Sequence, residues 1–172
     1  SRLGRVSLPG RLVFIGSDTL PNLDGLRWFL SEIWPGLRGQ GITLDLIGDC
    51  GPALRALPEG VKALGRVARL APLLHRAALA IAPLRAGSGL KIKMLDYARH
   101  GLVTIATPAA LEGFARDDAA PFIPATGAAD FAMAILHHIA PPPPPEPALA
   151  YVAAHYGRAR VFAGLREALI SG

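Results

Sequence analysis

Lysine is scarce in this chain. Among 172 residues only Lys62, Lys91 and Lys93 are lysine, against fifteen arginines. Cysteine is scarcer still: Cys50 stands alone, so no internal disulfide can form. Its expected role is that of a small apolar packing group. No stretch of eighteen or more apolar residues occurs, which argues against a membrane-spanning helix. The N-terminus lacks the basic, apolar, small-residue order of a secretory signal. These absences point to a soluble, cytoplasmic chain. Aromatic residues are 6% of the total and do not interleave with the scattered basic residues, which argues against a nucleic-acid partner. No Cys/His cluster has zinc spacing and no Asp-x-Asp pair suggests a divalent ion, so neither metal nor cofactor is expected.

What is present is apolar and alternating. Half of the residues are apolar, enough for the core of one domain. The net charge of +5 suits an anionic ligand or an acidic membrane surface, or reflects a bias toward arginine. Short runs rich in β-formers recur at Arg11–Gly16, Ile42–Gly48, Val61–Gly65, Leu79–Leu84 and Leu102–Thr107, with "PFIP" as a sixth. Segments of helical period lie between them. Leu23, Leu26, Phe29, Leu30 and Ile33 share one face before Pro35, and "GPALRAL" offers one or two helical turns. "RVARLAPLLHRA", a helix opening near Leu90 and closing at Gly101, and "AADFAMAILHHI" complete the series. Strands that are apolar on both faces and alternate with helices predict a parallel sheet covered on both sides. The expected fold is α/β, a Rossmann-like α/β/α sandwich of about six strands. Its ligand should sit at the carboxyl ends of the strands.

The pattern breaks at "APPPPPEPA", Ala140 to Ala148. Five consecutive prolines cannot form a helix or a central strand, and they predict a stiff spacer rising ~3.1 Å per residue. The expected organisation is a nucleotide-binding domain over residues 1–140, a spacer over 141–147 and a helical segment over 148–172. Within the last, Tyr151 to Ile170 would be held out toward a missing partner.

Two of the three lysines sit in "RAGSGLKIKMLD", Arg85 to Asp96. Gly87 and Gly89 allow close backbone approach and positive φ. A helix N-terminus offers free N–H groups and a positive dipole end. Lys91, expected in the first helical turn, is disfavoured there unless an anion is also present. The pairing of glycine turn, helix start and lysine therefore marks an anion site. The spacing is neither that of a P-loop nor G-x-G-x-x-G.

The wider stretch "AIAPLRAGSGLKIKMLDYARHGLVTIATPAALEGF" closely resembles the C-terminal, donor-binding domain of the group 1 retaining glycosyltransferases of GT-B fold. "FIGSDTLPNLDGLRWFLSEIWPGL" and "GVKALGRVARLAPLLHRAALAIAPL" resemble the same domain's earlier segments, in order, so that the similarity runs from Arg11 to Ile139. The resemblance implies that the domain binds a nucleoside diphosphate sugar and that the whole enzyme transfers the sugar with retention, the leaving diphosphate helping to deprotonate the acceptor. It implies catalytic roles for Lys91 and Arg85 at the diphosphate. Donor-binding positions would be Gly16 and Ser17 after the first strand, Arg66 and Val67 near the base, and Gly87, Ser88, Gly89 and Leu90 in the turn. Asp96 would hold the ribose, with Thr107, Glu112 and Gly113 closing the site. A second family glutamate is replaced by Ser88, and an Arg and Lys pair found after the first strand in some members is missing from "SDTLPN". Simpler roles stand beside these: Asp96 pairing along its helix with Lys93, Arg99 or His100, Asn22 and Asp24 capping a helix, and Glu112 supporting a turn. An epimerase-like enzyme on the same fold, or a non-catalytic nucleotide-sugar-binding domain, are the alternatives. The implied partners are the donor, an N-terminal acceptor domain of the same protein and an acceptor that is lipid-linked or at the inner membrane face. The start at Ser1 fits a piece cut from a longer chain, which alone would bind donor and transfer nothing.

Overall fold

A computed structural model describes residues 7–87 and 91–157. Six strands form one sheet: β1 (Arg11–Ile15), β2 (Thr43–Ile47), β3 (Val61–Gly65), β4 (Leu79–Ala82), β5 (Thr104–Ala106) and β6 (Phe122–Pro124). All are parallel, in the order β3-β2-β1-β4-β5-β6. The chain builds outward from β1 to β3, then returns to β1's other edge and builds the opposite way. The strand order therefore reverses between β1 and β4, where the loops leaving two neighbouring strands diverge and open a crevice.

The apolar strand runs supply side chains to both faces with period two. Leu12, Phe14, Leu44, Leu46, Leu79, Ile81 and Ile105 are buried on one face, with Leu26, Phe29 and Ile33 of α1 (Leu20–Trp28) and the π-helical turn that extends it, and with Phe131 and Ile135 of α4 (Ala128–His138). Trp28 and Phe131 join these two helices edge to face, with ring centres 6.1 Å apart. On the other face Val13, Ile47, Ala80, Ala82 and Ala106 meet Leu74 of α2 (Ala71–Arg76) and Met94 and Tyr97 of α3 (Ile92–Arg99). Among the described residues no helix is long and apolar enough to cross a membrane.

Three local expectations change. "GPALRAL" forms turns without helix, and the segment from Arg66 to Ala77 is helical only from Ala71, with Pro72 in its first turn. α3 begins at Ile92, so Lys91 is its N-cap residue in extended conformation (φ −90°, ψ 99°) and lies before the first turn. The prolines do not hold the next helix away from the domain. After a cis Ala140–Pro141 bond, α5 (Glu146–His155) packs Ala148, Tyr151 and Val152 against Ala98 of α3. Residues 158–170 of the expected terminal segment lie outside the described residues.

Candidate functional site

Because the strands are parallel, the residues that follow them share one edge of the sheet. Gly16 and Ser17 follow β1, Asp49 follows β2, Arg66 and Val67 follow β3, Arg85 to Gly87 follow β4 and Thr107 follows β5. The sequence thus brings its widely separated candidates to one end of the domain, with the β1 and β4 loops flanking the crevice.

The β1 loop is held by backbone contact. Gly16 donates to Ile47 O at 2.9 Å and accepts from Cys50 N–H at 3.1 Å. Gly48, at φ +96°, lies so close that a Cβ placed on it would come within 2.3 Å of Gly16 O. Gly25 in α1 plays a similar part, its missing side chain letting the helix approach the Pro83 carbonyl, 2.5 Å from where a Cβ would sit. Asn22 is buried and donates its Nδ2 to Ser17 O at 3.2 Å, while its Oδ1 accepts from Lys93 Nζ at 2.6 Å. Lys93 also lies over the Phe14 ring, 4.5 Å from its centre. Burial lowers the lysine's pKa to about 8. The two lysines of the motif therefore differ in place. Lys93 reaches inward to tie α3 to the start of α1, whereas Lys91 folds back over Gly87, its Nζ 3.5 Å from where a Cβ on that glycine would be.

Two arginines of the candidate site pair with carboxylates. Arg85 makes a two-pronged contact with Asp24, at 2.9 and 3.2 Å, and its guanidinium lies 5.9 Å from the centre of the Trp28 ring. The bond from Arg85 holds the Asp24 carboxyl below its ordinary pKa. Arg66 pairs in the same way with Asp49, at 2.8 and 3.1 Å, on the exposed surface. Val67 beside it is half-buried against the α2 side of the core. Thr107 is buried, its hydroxyl donating to Leu84 O and accepting from Ala110 N–H, which fixes the turn after β5 to the end of β4. Glu112 and Gly113 are exposed in the next loop. They border a hollow that also includes Pro108, Leu111, Phe114 and Arg116. Asp96 pairs with Arg99 at 3.0 Å, and burial raises its pKa. Ser88, Gly89 and Leu90 lie outside the described residues.

Sequence reasoning assigned Asn22 and Asp24 to helix capping. Thr19 is the N-cap of α1 instead, and the two side chains reach across to Lys93 and Arg85. It also missed Tyr97, whose hydroxyl accepts from Ile15 N–H at 2.7 Å and so ties the end of β1 to α3. Burial raises the Tyr97 pKa strongly, so the phenol stays neutral. Cys50 is buried and its thiol pKa is raised by burial, in keeping with a packing role. No group of three metal-ligating side chains is gathered among the described residues.

The model of the family "Glycosyl transferases group 1" matches residues 9–140. The chain belongs to that family. Its fold is that of known GT-B glycosyltransferases. WaaG, a glycosyltransferase involved in lipopolysaccharide biosynthesis, superposes with a TM-score of 0.68 at 16% identity, covering 91% of this chain and 46% of WaaG. HepE of Anabaena, solved with UDP and glucose, gives 0.66 at 13% identity over 95% of this chain and 49% of HepE. S. aureus TarM, solved as a variant with UDP among its ligands, gives 0.66 at 10% identity over 96% of this chain and 36% of TarM. This group 1 chain thus spans half or less of the structures it resembles. No curated protein sequence matches it significantly.

Proposed function

We propose that this group 1 domain is the donor-binding part of a retaining glycosyltransferase and that it takes a nucleoside diphosphate sugar at the crevice between β1 and β4. The observation that carries this reading is the lysine at the switch point. Lys91 sits at the N-cap of α3 with its ammonium over Gly87, beside the reversal of strand order. An ammonium there, with the first N–H groups of α3, is complementary to a diphosphate. The UDP complexes of HepE and TarM, which share the fold, support the ligand class.

In the transfer itself the acceptor oxygen forms a bond to the anomeric carbon while the bond to the diphosphate breaks. The diphosphate leaves with the electron pair and takes up the acceptor proton. The charge that develops sits on phosphate oxygens, so the protein's part is positioning and electrostatic stabilisation. By analogy with oxyanion donors, losing Lys91 would cost ~2.7–4 kcal/mol in the barrier. The acceptor would be bound by a domain outside this chain, at the cytoplasmic membrane face if it is lipid-linked.

Calorimetric titration with UDP, GDP and ADP tests the reading. Lys91→Ala should lose most of the affinity, on the order of tenfold or more, whereas Lys93→Ala should act chiefly on stability. Equal losses, or no binding by the parent, would overturn it. With the acceptor domain restored, retention is read from the anomeric configuration of the product.

A further inference from the structure

The loop from Glu112 to Pro121 has no regular secondary structure, yet its backbone is pinned from outside. Ala115 N–H donates to the Tyr156 hydroxyl at 2.9 Å, and Ala115 O accepts from the Tyr151 hydroxyl at 2.9 Å. Both main-chain groups of one residue are thus held by two phenols, one from the middle of α5 and one from its C-cap residue. Ala115 can neither shift nor rotate without breaking one of these bonds. Further along the loop, Asp117 pairs with His155 at 2.8 Å and accepts from Ala119 N–H at 2.8 Å. The Phe114 ring lies between Phe122 and Tyr156, with centres 4.9 and 6.3 Å apart.

The same helix rests on α3 through Ala98, Tyr151 and Val152. α3 begins immediately after Lys91, and the pinned loop begins at Glu112. α5 therefore joins the element behind Lys91 to the loop carrying Glu112 and Gly113.

We infer that α5 is a positioning element for the donor site, with Tyr151 and Tyr156 acting through the Ala115 backbone to set Glu112 and Gly113; the inference rests on the donor-site reading above. Packing alone does not require the hydroxyls, since phenylalanine would fill the same space. Burial raises the Tyr151 pKa well above its ordinary value, so the phenol remains a neutral donor to the carbonyl.

The test uses the whole 172-residue chain. Tyr151→Phe with Tyr156→Phe removes two oxygens and keeps both rings. Amide hydrogen exchange across residues 112–120 should quicken in this variant while the sheet is unchanged. Affinity for the best-bound of UDP, GDP and ADP should fall about five- to tenfold. In a Glu112→Gln background the same pair of changes should cost less than about twofold, because the effect travels through that loop. The single Tyr156→Phe, at a half-buried position, replaces the pair if the double variant does not fold, with the same outcomes at smaller scale. Unchanged affinity despite faster exchange, or losses that simply multiply with Glu112→Gln, would reduce α5 to a brace and overturn the inference. If the parent binds none of the three nucleotides, the donor-site reading has failed first, and that is seen before any variant is made.

Discussion

The loops on the two sides of the switch point are held by different means. After β1, position is set by the sheet itself and by the two helices packed on it. Gly16 and Gly48 touch through backbone, Ile15 is tied to Tyr97, and Asn22 and Lys93 bond beneath the turn. After β5, the Phe114 ring packs on Phe122 of β6, and the hydrogen bonds to β4 and the loop after it come from Thr107. The loop beyond it hangs from hydroxyls that come from α5, 36 and 41 residues later. One flank is built into the strands that carry it, and substitutions there should damage the fold. The other is trimmed by a late helix, and substitutions there should change the site while the fold survives.

The largest effect is expected at Gly48. Gly48→Ala places a methyl against Gly16 O at a positive φ, combining backbone strain with overpacking. Each costs ~1–3 kcal/mol, so unfolding in urea should show a loss of about 3–5 kcal/mol. Gly127→Ala is the control on the β6 side. Its backbone, at φ +83° and ψ 165°, is one that glycine alone ordinarily adopts, but nothing lies within 4 Å of the new methyl, so the conformational cost of ~1–3 kcal/mol should appear without the overpacking. Equal losses at the two positions would remove the claim that backbone contact sets the β1 loop.

Lys93 gives the next effect, through pH. Its folded pKa of about 8 lies below the ordinary 10.5, so the unfolded chain keeps its proton where the folded one has released it. The cost of burying the ammonium is present below pH 8 and is relieved as pH rises from 8 toward 10.5. The stability of the parent relative to Lys93→Met should therefore climb by on the order of 1 kcal/mol between pH 7.5 and 10. Taking the difference between the two proteins largely removes Cys50, whose raised thiol pKa pulls the other way. A flat difference across this range would mean that Lys93 keeps its charge hydrated and does not latch α3 to α1.

The contrast between the flanks also explains what the sequence disclosed. The central strands β1, β4 and β5 were legible because burial leaves them nearly unbroken apolar runs, and β2 is interrupted only at Asp45. The more exposed edge strands β3 and β6 were legible from β-forming residues bounded by Gly60 and Gly65 and by Pro121 and Pro124. Their order in the chain, alternating with helices, points to the parallel sheet. The positive φ of Gly87 just before α3 was legible because its meaning is local, whereas Lys91 falls one residue before the helix and not in its first turn. The partners of Asn22 and Asp24 were not legible, since Lys93 and Arg85 lie 71 and 61 residues away and neither spacing nor propensity encodes such pairs. Capping was the natural local reading for both. The proline tract misled for a related reason. Its stiffness is a property of the sequence, but the direction in which it sends the chain is decided by what α5 buries against Ala98.

Arg66 carries the smallest expected effect and the sharpest distinction between fold and site. It lies beyond β3, on the built-in flank, yet its side chain is exposed and its visible partner is Asp49. Exposed ion pairs contribute little to stability and are screened by salt. Arg66→Ala and Asp49→Asn should both leave the melting temperature within about 1 °C of the parent. Nucleotide titration should separate them. If Arg66 lies beside the base, Arg66→Ala weakens binding a few-fold, whereas Asp49→Asn frees the guanidinium and leaves affinity the same or slightly tighter. Raising the salt to ~0.5 M should shrink the difference between the two variants. Identical affinities would assign Arg66 to an ordinary surface pair, and the built-in flank would then contribute shape to the site and no charge.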